Sequence, residues 1–138
     1  MQAMRSTAGL VLLIAGCAHF GSVAQQPAAQ SLAGTRWEIN KINGASPTAE
    51  RKAQLNFTGD RVSGNAGCNG FGGGYVLADH VLTVTRMIST KMACVGPGME
   101  QESAVFKILG APMTVARHDD GSMTLSDDGG TVTLRPAG

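Results

Sequence analysis

From Leu32 onward, apolar and polar positions alternate in short runs rich in β-branched residues, broken by turn residues at the spacing of an all-β domain. Trp37 to Ile42 alternates throughout and runs into Asn43-Gly44. Ala53 to Phe57 alternates again, and Thr58-Gly59-Asp60 predicts a hairpin turn into Arg61 to Ser63. Tyr75 to Leu77, Val81 to Thr85 and Met87 to Ser89 are further predicted strands. Met113 to Ala116, Ser122 to Leu125 and Thr131 to Leu134, linked by Asp119-Asp120-Gly121 and Asp127-Asp128-Gly129-Gly130, predict a closing meander. Met99 to Leu109 breaks the pattern. Its apolar residues fall at helical spacing, Glu100 and Glu102 lie in its first turn, Lys107 lies near its end, and Gly110 and Pro112 are stop signals. Roughly eight strands and one helix imply a mainly β (α+β) fold, a curled or closed sheet with the helix on one face or mouth.

The first segment reads differently. Arg5 precedes an apolar and small-residue run from Ala8 to Gly16. At helical rise this run covers about 14 Å, roughly half of a bilayer core, which suits a signal peptide and not a span. Ile14-Ala15-Gly16-Cys17 resembles the bacterial lipobox, in which the cysteine becomes the new N-terminus and carries diacylglycerol. The alternative is an ordinary signal peptide cleaved after Ser22-Val23-Ala24. The expected organisation is a lipoprotein signal peptide over residues 1–16, lipidated Cys17 with a tether over 17–31, and a folded domain over 32–138. Ala18, where a retention signal would place Asp, resembles enterobacterial sorting to the outer membrane, facing the periplasm. Residues 18–31 carry no charge or periodicity, and as a random chain they reach about 20 Å.

Composition narrows the function. The chain has 11 Lys and Arg against 10 Asp and Glu, and 4% aromatic residues. That gives little to neutralise phosphates or stack bases, so nucleic acid is not an expected partner. Hydrophobic residues at 43% and charged residues at 15% indicate a globular chain, and 19 glycines without a collagen period indicate turns between strands.

Three stretches carry a resemblance. Leu32-Ala33-Gly34-Thr35-Arg36-Trp37 opens the domain. Gly64-Asn65-Ala66-Gly67-Cys68-Asn69-Gly70-Phe71 leads through glycines to Tyr75. Ser89-Thr90-Lys91-Met92-Ala93-Cys94 is followed by Glu100-Gln101-Glu102. In this order and at these separations they resemble the META domain family of HslJ-like heat-shock lipoproteins, from about Leu32 to Leu134. The resemblance implies a strongly bent antiparallel sheet, barrel-like, with one helix. It also implies an envelope role linked to heat shock and, for some members, antibiotic tolerance. It supplies no catalytic activity, so Gly34, Thr35, Trp37, Gly64, Asn65, Gly67, Asn69, Tyr75, Thr90 and Met92 stand as structural motif residues.

Cys68 and Cys94 are the thiols left once Cys17 is lipidated. An even remainder in an exported chain makes them a disulfide candidate; two reduced buried thiols, or a redox or metal role, are the alternatives. Zinc would need two further ligands, and His80 and His118 lack metal-site spacing. The glycines from Gly64 to Gly74 lack the G-K-[ST] of a phosphate loop and read as a tight corner between strands. Trp37, Phe71 and Tyr75 read as core, and Ser63, Ser89 and Thr90 lack a nucleophile elbow. No cofactor or metal is expected. The anchor and the resemblance together imply a non-catalytic envelope lipoprotein that binds an envelope protein or a small apolar ligand. The alternative is a periplasmic inhibitor or chaperone-like module acting through exposed loops. An apolar cavity favours the first, a solid core with an exposed patch the second, and a cleft with a perturbed His or carboxylate an enzyme.

Overall fold

Alternation in the first predicted strand becomes one wall of a barrel: β1 (Thr35–Ile42) buries Trp37 and Ile39 and leaves Arg36 exposed. A computed structural model describes residues 31–138; the expected signal peptide, Cys17 and the tether up to residue 30 lie outside the described residues. The remaining strands are β2 (Gln54–Thr58), β3 (Arg61–Asn65), β4 (Gly70–Ala78), β5 (Val81–Ser89), β6 (Met113–Arg117), β7 (Met123–Asp127) and β8 (Gly130–Pro136). Each pairs antiparallel with the next, and β8 returns to β1, closing an eight-stranded barrel. The one helix among the described residues, α1 (Gly98–Leu109), lies between β5 and β6 in the chain and packs against β8 and β1.

The barrel is filled. Leu55, Phe57, Val62, Leu82, Met123, Leu125, Val132 and Leu134 from the strands and Val105, Ile108 and Leu109 from α1 are each at most 1% exposed. Burying one such side chain contributes roughly 1.5–3 kcal/mol. Edge-to-face contacts join the wall to the filling, Phe71 to Phe106 at 5.4 Å and Phe57 to Tyr75 at 5.0 Å between ring centroids.

Two sequence expectations change. The runs Val81–Thr85 and Met87–Ser89 are one strand: Arg86 and Met87 together face Gly73, with Arg86 at φ 50°, so a bulge interrupts the alternation without ending the strand. The glycine run is a corner only over Ala66 to Asn69, while Gly64, Gly70, Gly72, Gly73 and Gly74 lie inside strands. Close strand approach explains two of them. A Cβ on Gly64 would sit 1.9 Å from the Gln54 carbonyl oxygen, and one on Gly73 would sit 2.7 Å from that of Thr85.

The antiparallel order gives the barrel two distinct ends. The chain enters at one, beside the Gly59–Asp60, Asp79–His80 and His118–Gly121 turns. The β1–β2 loop, the Ala66–Asn69 corner, the β5–α1 connection and the start of α1 occupy the other. The second end is the one that holds the motif residues around Asn69.

Candidate functional site

The opening motif closes the entry end. Leu32 is fully buried, Gly34 at φ +78° turns the chain, and the Gly34 amide donates to the Phe57 carbonyl at 2.7 Å. The Thr35 hydroxyl donates to the Leu32 carbonyl and accepts from Trp37 Nε1 at 2.8 Å. Trp37 therefore buries its ring with its one polar atom satisfied, and the Arg117 guanidinium lies 5.7 Å from the ring centroid. These three motif residues are scaffold.

At the other end a polar clamp joins four segments. The Asn69 side chain, 2% exposed, donates to Glu102 Oε1 at 2.9 Å and accepts from the Thr90 hydroxyl at 2.9 Å and the Met92 amide at 2.7 Å. Its own amide donates to Glu102 Oε2 at 2.5 Å. Adjacent in α1, Gln101 accepts from the Thr48 and Ala49 amides at 2.9 and 3.1 Å and donates to the Ala66 carbonyl at 2.9 Å. The first turn of α1 thus fastens the β1–β2 loop, the corner and the β5–α1 connection at once. The Cys68–Cys94 disulfide, with Cα atoms 5.9 Å apart, ties the last two covalently. Asn65 accepts from the Gly67 amide at 2.8 Å, and Gly67 itself adopts φ +136° against Gln101, where a Cβ would meet Nε2 at 2.8 Å.

The clamp leaves its polar groups occupied. Thr90, which the sequence places among the structural motif residues, spends its hydroxyl on Asn69, and both Glu102 oxygens accept from Asn69. Glu100 is exposed, so the two acids that read alike in sequence have separate roles. Gln101 and Glu102 as clamp residues escape a sequence reading, because their partners lie more than thirty residues away. Two signals mark the positions without giving the role: the motif stretch Glu100-Gln101-Glu102, and their place beside the buried stripe of α1, which continues through Val105, Ile108 and Leu109.

The other candidates lie elsewhere. His80 and Asp79 form the two-residue β4–β5 turn, both at positive φ, and His118 Nε2 sits 2.7 Å from the Thr124 hydroxyl. No group of three or more His, Cys, Asp or Glu side chains fit to hold a metal occurs among the described residues. Among the described residues, three groups have displaced pKa values, and they lie apart from one another on β1, on β4 and in the β6–β7 turn. The hydrogen bond from Arg135 holds the Glu38 carboxyl below its ordinary value. Hydrogen bonds from Ser122 do the same for Asp120. Burial, with the Asp60 charge second, pushes the Tyr75 phenol up, and its hydroxyl donates to the Gly59 carbonyl at 2.7 Å.

Beside the clamp the surface is open and apolar. Ile88 is 73% exposed, Met92 48%, Met99 44%, and Val95 is fully exposed, all within the end of β5, the connection into α1 and the first turn of α1. A depression of about 540 Å³ borders this stretch, floored by Gly70 and Gly72 and walled by Gln54, Asn56, Ser63 and Ile88.

Among solved structures, one determined by NMR is 24% identical with a TM-score of 0.68, over 78% of this chain and 92% of that one. A second, from Burkholderia xenovorans, is 26% identical with a TM-score of 0.65, over 80% of this chain and 86% of that one. No curated protein matches. The META domain model matches residues 30–138, which include the opening turn, the clamp and the disulfide. The chain belongs to the META domain family.

Proposed function

We propose that this protein is a non-catalytic binding module of the bacterial envelope, held on the periplasmic face of the outer membrane by lipid on Cys17. Its β5–α1 surface engages an envelope protein under heat or antibiotic stress. One observation carries this reading. The chemistry-bearing motif residues are spent inside the clamp, while exposed large apolar side chains concentrate outside it, from Ile88 to Met99. Such a cluster on a small domain marks an interaction site. The filled barrel favours a protein partner over an enclosed apolar ligand. Polarity of the chain supports the same view. The described residues enter the barrel at the end opposite the apolar surface.

An inhibitor or chaperone-like module would use the same loops, and partner identity separates the readings. Two measurements on the protein from envelope membranes test the proposal. Mass spectrometry of the mature N-terminus is expected to find diacylglycerol on Cys17; an unmodified N-terminus removes the anchor. Cross-linked capture with and without heat stress is expected to yield a partner that Val95→Glu and Met99→Glu abolish. Capture that ignores these substitutions contradicts the surface assignment. A folded stress enzyme as partner indicates inhibition, and a spread of unfolded clients indicates chaperone action.

A further inference from the structure

β5 carries an edge that the barrel does not use. β6 pairs with it only at Leu82–Met113 and Val81–Thr114. The reason is local: α1 ends at Leu109, and Pro112, which has no amide hydrogen, stands just before Met113, so β6 cannot extend along β5. From Thr83 to Ser89 the strand pairs on one side with β4 and, among the described residues, with no strand on the other. The two-residue Asp79–His80 turn makes Ala78–Val81 a hydrogen-bonded pair. Ladder alternation then points the Val84 backbone, like that of Leu82, away from β4. Val84, Met87 and Phe106 belong to the core yet are only half-buried, so the gap beside this edge exposes apolar surface.

We propose that this edge is a strand-addition site: an extended acidic and apolar segment of a partner protein pairs antiparallel with Thr83–Ser89 and lays its apolar side chains beside Val84 and Met87 on the core face. The proposal rests on the docking reading above and names the kind of partner. An open row of backbone donors and acceptors is met by another extended chain and not by a lipid surface. Charge selects the chemistry of that chain. Residues 81–99 contain Arg86 and Lys91 and no carboxylate, and neither cation pairs with a carboxylate among the described residues. Arg86, set on the bulge at φ 50°, also opposes β5–β5 pairing between two copies by bringing like charges together.

The test is hydrogen–deuterium exchange of the full-length mature protein in detergent with a capped synthetic peptide of alternating valine and glutamate. Controls are a valine–lysine peptide, the valine–glutamate peptide with alternate amides N-methylated, and anionic vesicles. Saturable protection of residues 83–89 by the valine–glutamate peptide alone is expected. Arg86→Glu, a change at an exposed position, is expected to weaken binding by about tenfold, as is Val84→Pro, which removes an amide facing the gap. Equal binding of the N-methylated peptide overturns strand addition, as does protection that appears with protein concentration alone or with vesicles alone, and equal binding of the lysine peptide overturns the acidic partner. Protection confined to residues 90–99 overturns it while leaving the docking surface standing, and the absence of any protection overturns both.

Discussion

Asn69 is the residue on which the clamp turns, and its removal has a calculable cost. Asn69→Ala deletes the charge-assisted bond to Glu102 and the bonds received from the Thr90 hydroxyl and the Met92 amide. The first is worth roughly 1.5–3 kcal/mol and each of the others about 1 kcal/mol. Water can reach some of the stranded groups, so the expected loss is about 4 kcal/mol, a large share of the 5–15 kcal/mol typical of a domain. With a urea m-value of about 1.5 kcal/mol/M, the unfolding midpoint falls by about 2.5 M with the disulfide intact. Glu102→Gln keeps the shape but offers one acceptor where two donors converge, and should cost about 2 kcal/mol. Because Asn69 and Glu102 act on each other, the Asn69→Ala/Glu102→Ala double variant should fall short of the summed single losses by more than about 1 kcal/mol. Single losses below about 1 kcal/mol, or strict additivity, would refute the clamp.

Three further outcomes follow from the same structure. Reduction of Cys68–Cys94, which closes a loop with a sequence separation of 26, is expected to lower stability by about 3.5 kcal/mol, measured by urea unfolding with and without reductant. Gly64→Ala drives a Cβ into the Gln54 carbonyl and should prevent normal β2–β3 pairing, whereas Gly72→Ala meets its nearest atom at 3.6 Å and should leave the thermal midpoint within a few degrees. The Tyr75 pKa is raised in the folded state, so its contribution is complete below the unfolded value near pH 10 and is lost as pH rises through the folded value; Tyr75→Phe should flatten that alkaline limb of stability against pH.

Much of the barrel is legible in the sequence because period-two alternation and turn chemistry are local. Trp37 and Ile39 face inward as their spacing predicts, and α1 ends where Gly110 and Pro112 stop it. Closure is not local. It depends on β8 finding β1 across almost the whole domain. The count of about eight strands holds, but Arg86 split β5 into two predicted runs because a bulge looks like a break when only alternation is read. The glycines misled in the opposite direction: their number suggests a turn, but Gly64 and Gly73 answer to carbonyls in neighbouring strands that the sequence does not place beside them. Counting thiols made Cys68 and Cys94 a disulfide candidate among alternatives and the fold pairs them, whereas Glu102 reads as a helix-capping charge until the fold brings Asn69 against it. The unpaired half of β5 is similarly invisible, since it arises from where β6 begins.

Photo-cross-linking in living cells tests the central claim, that the motif builds the scaffold and the β5–α1 surface outside it does the binding. A benzoylphenylalanine probe replaces Val95 in one strain and Val76, an exposed apolar residue of β4, in another. Under heat or antibiotic stress, a discrete protein adduct from position 95 and none from position 76 is the result predicted. Adducts from position 76 alone, or the same adducts from both, would contradict it.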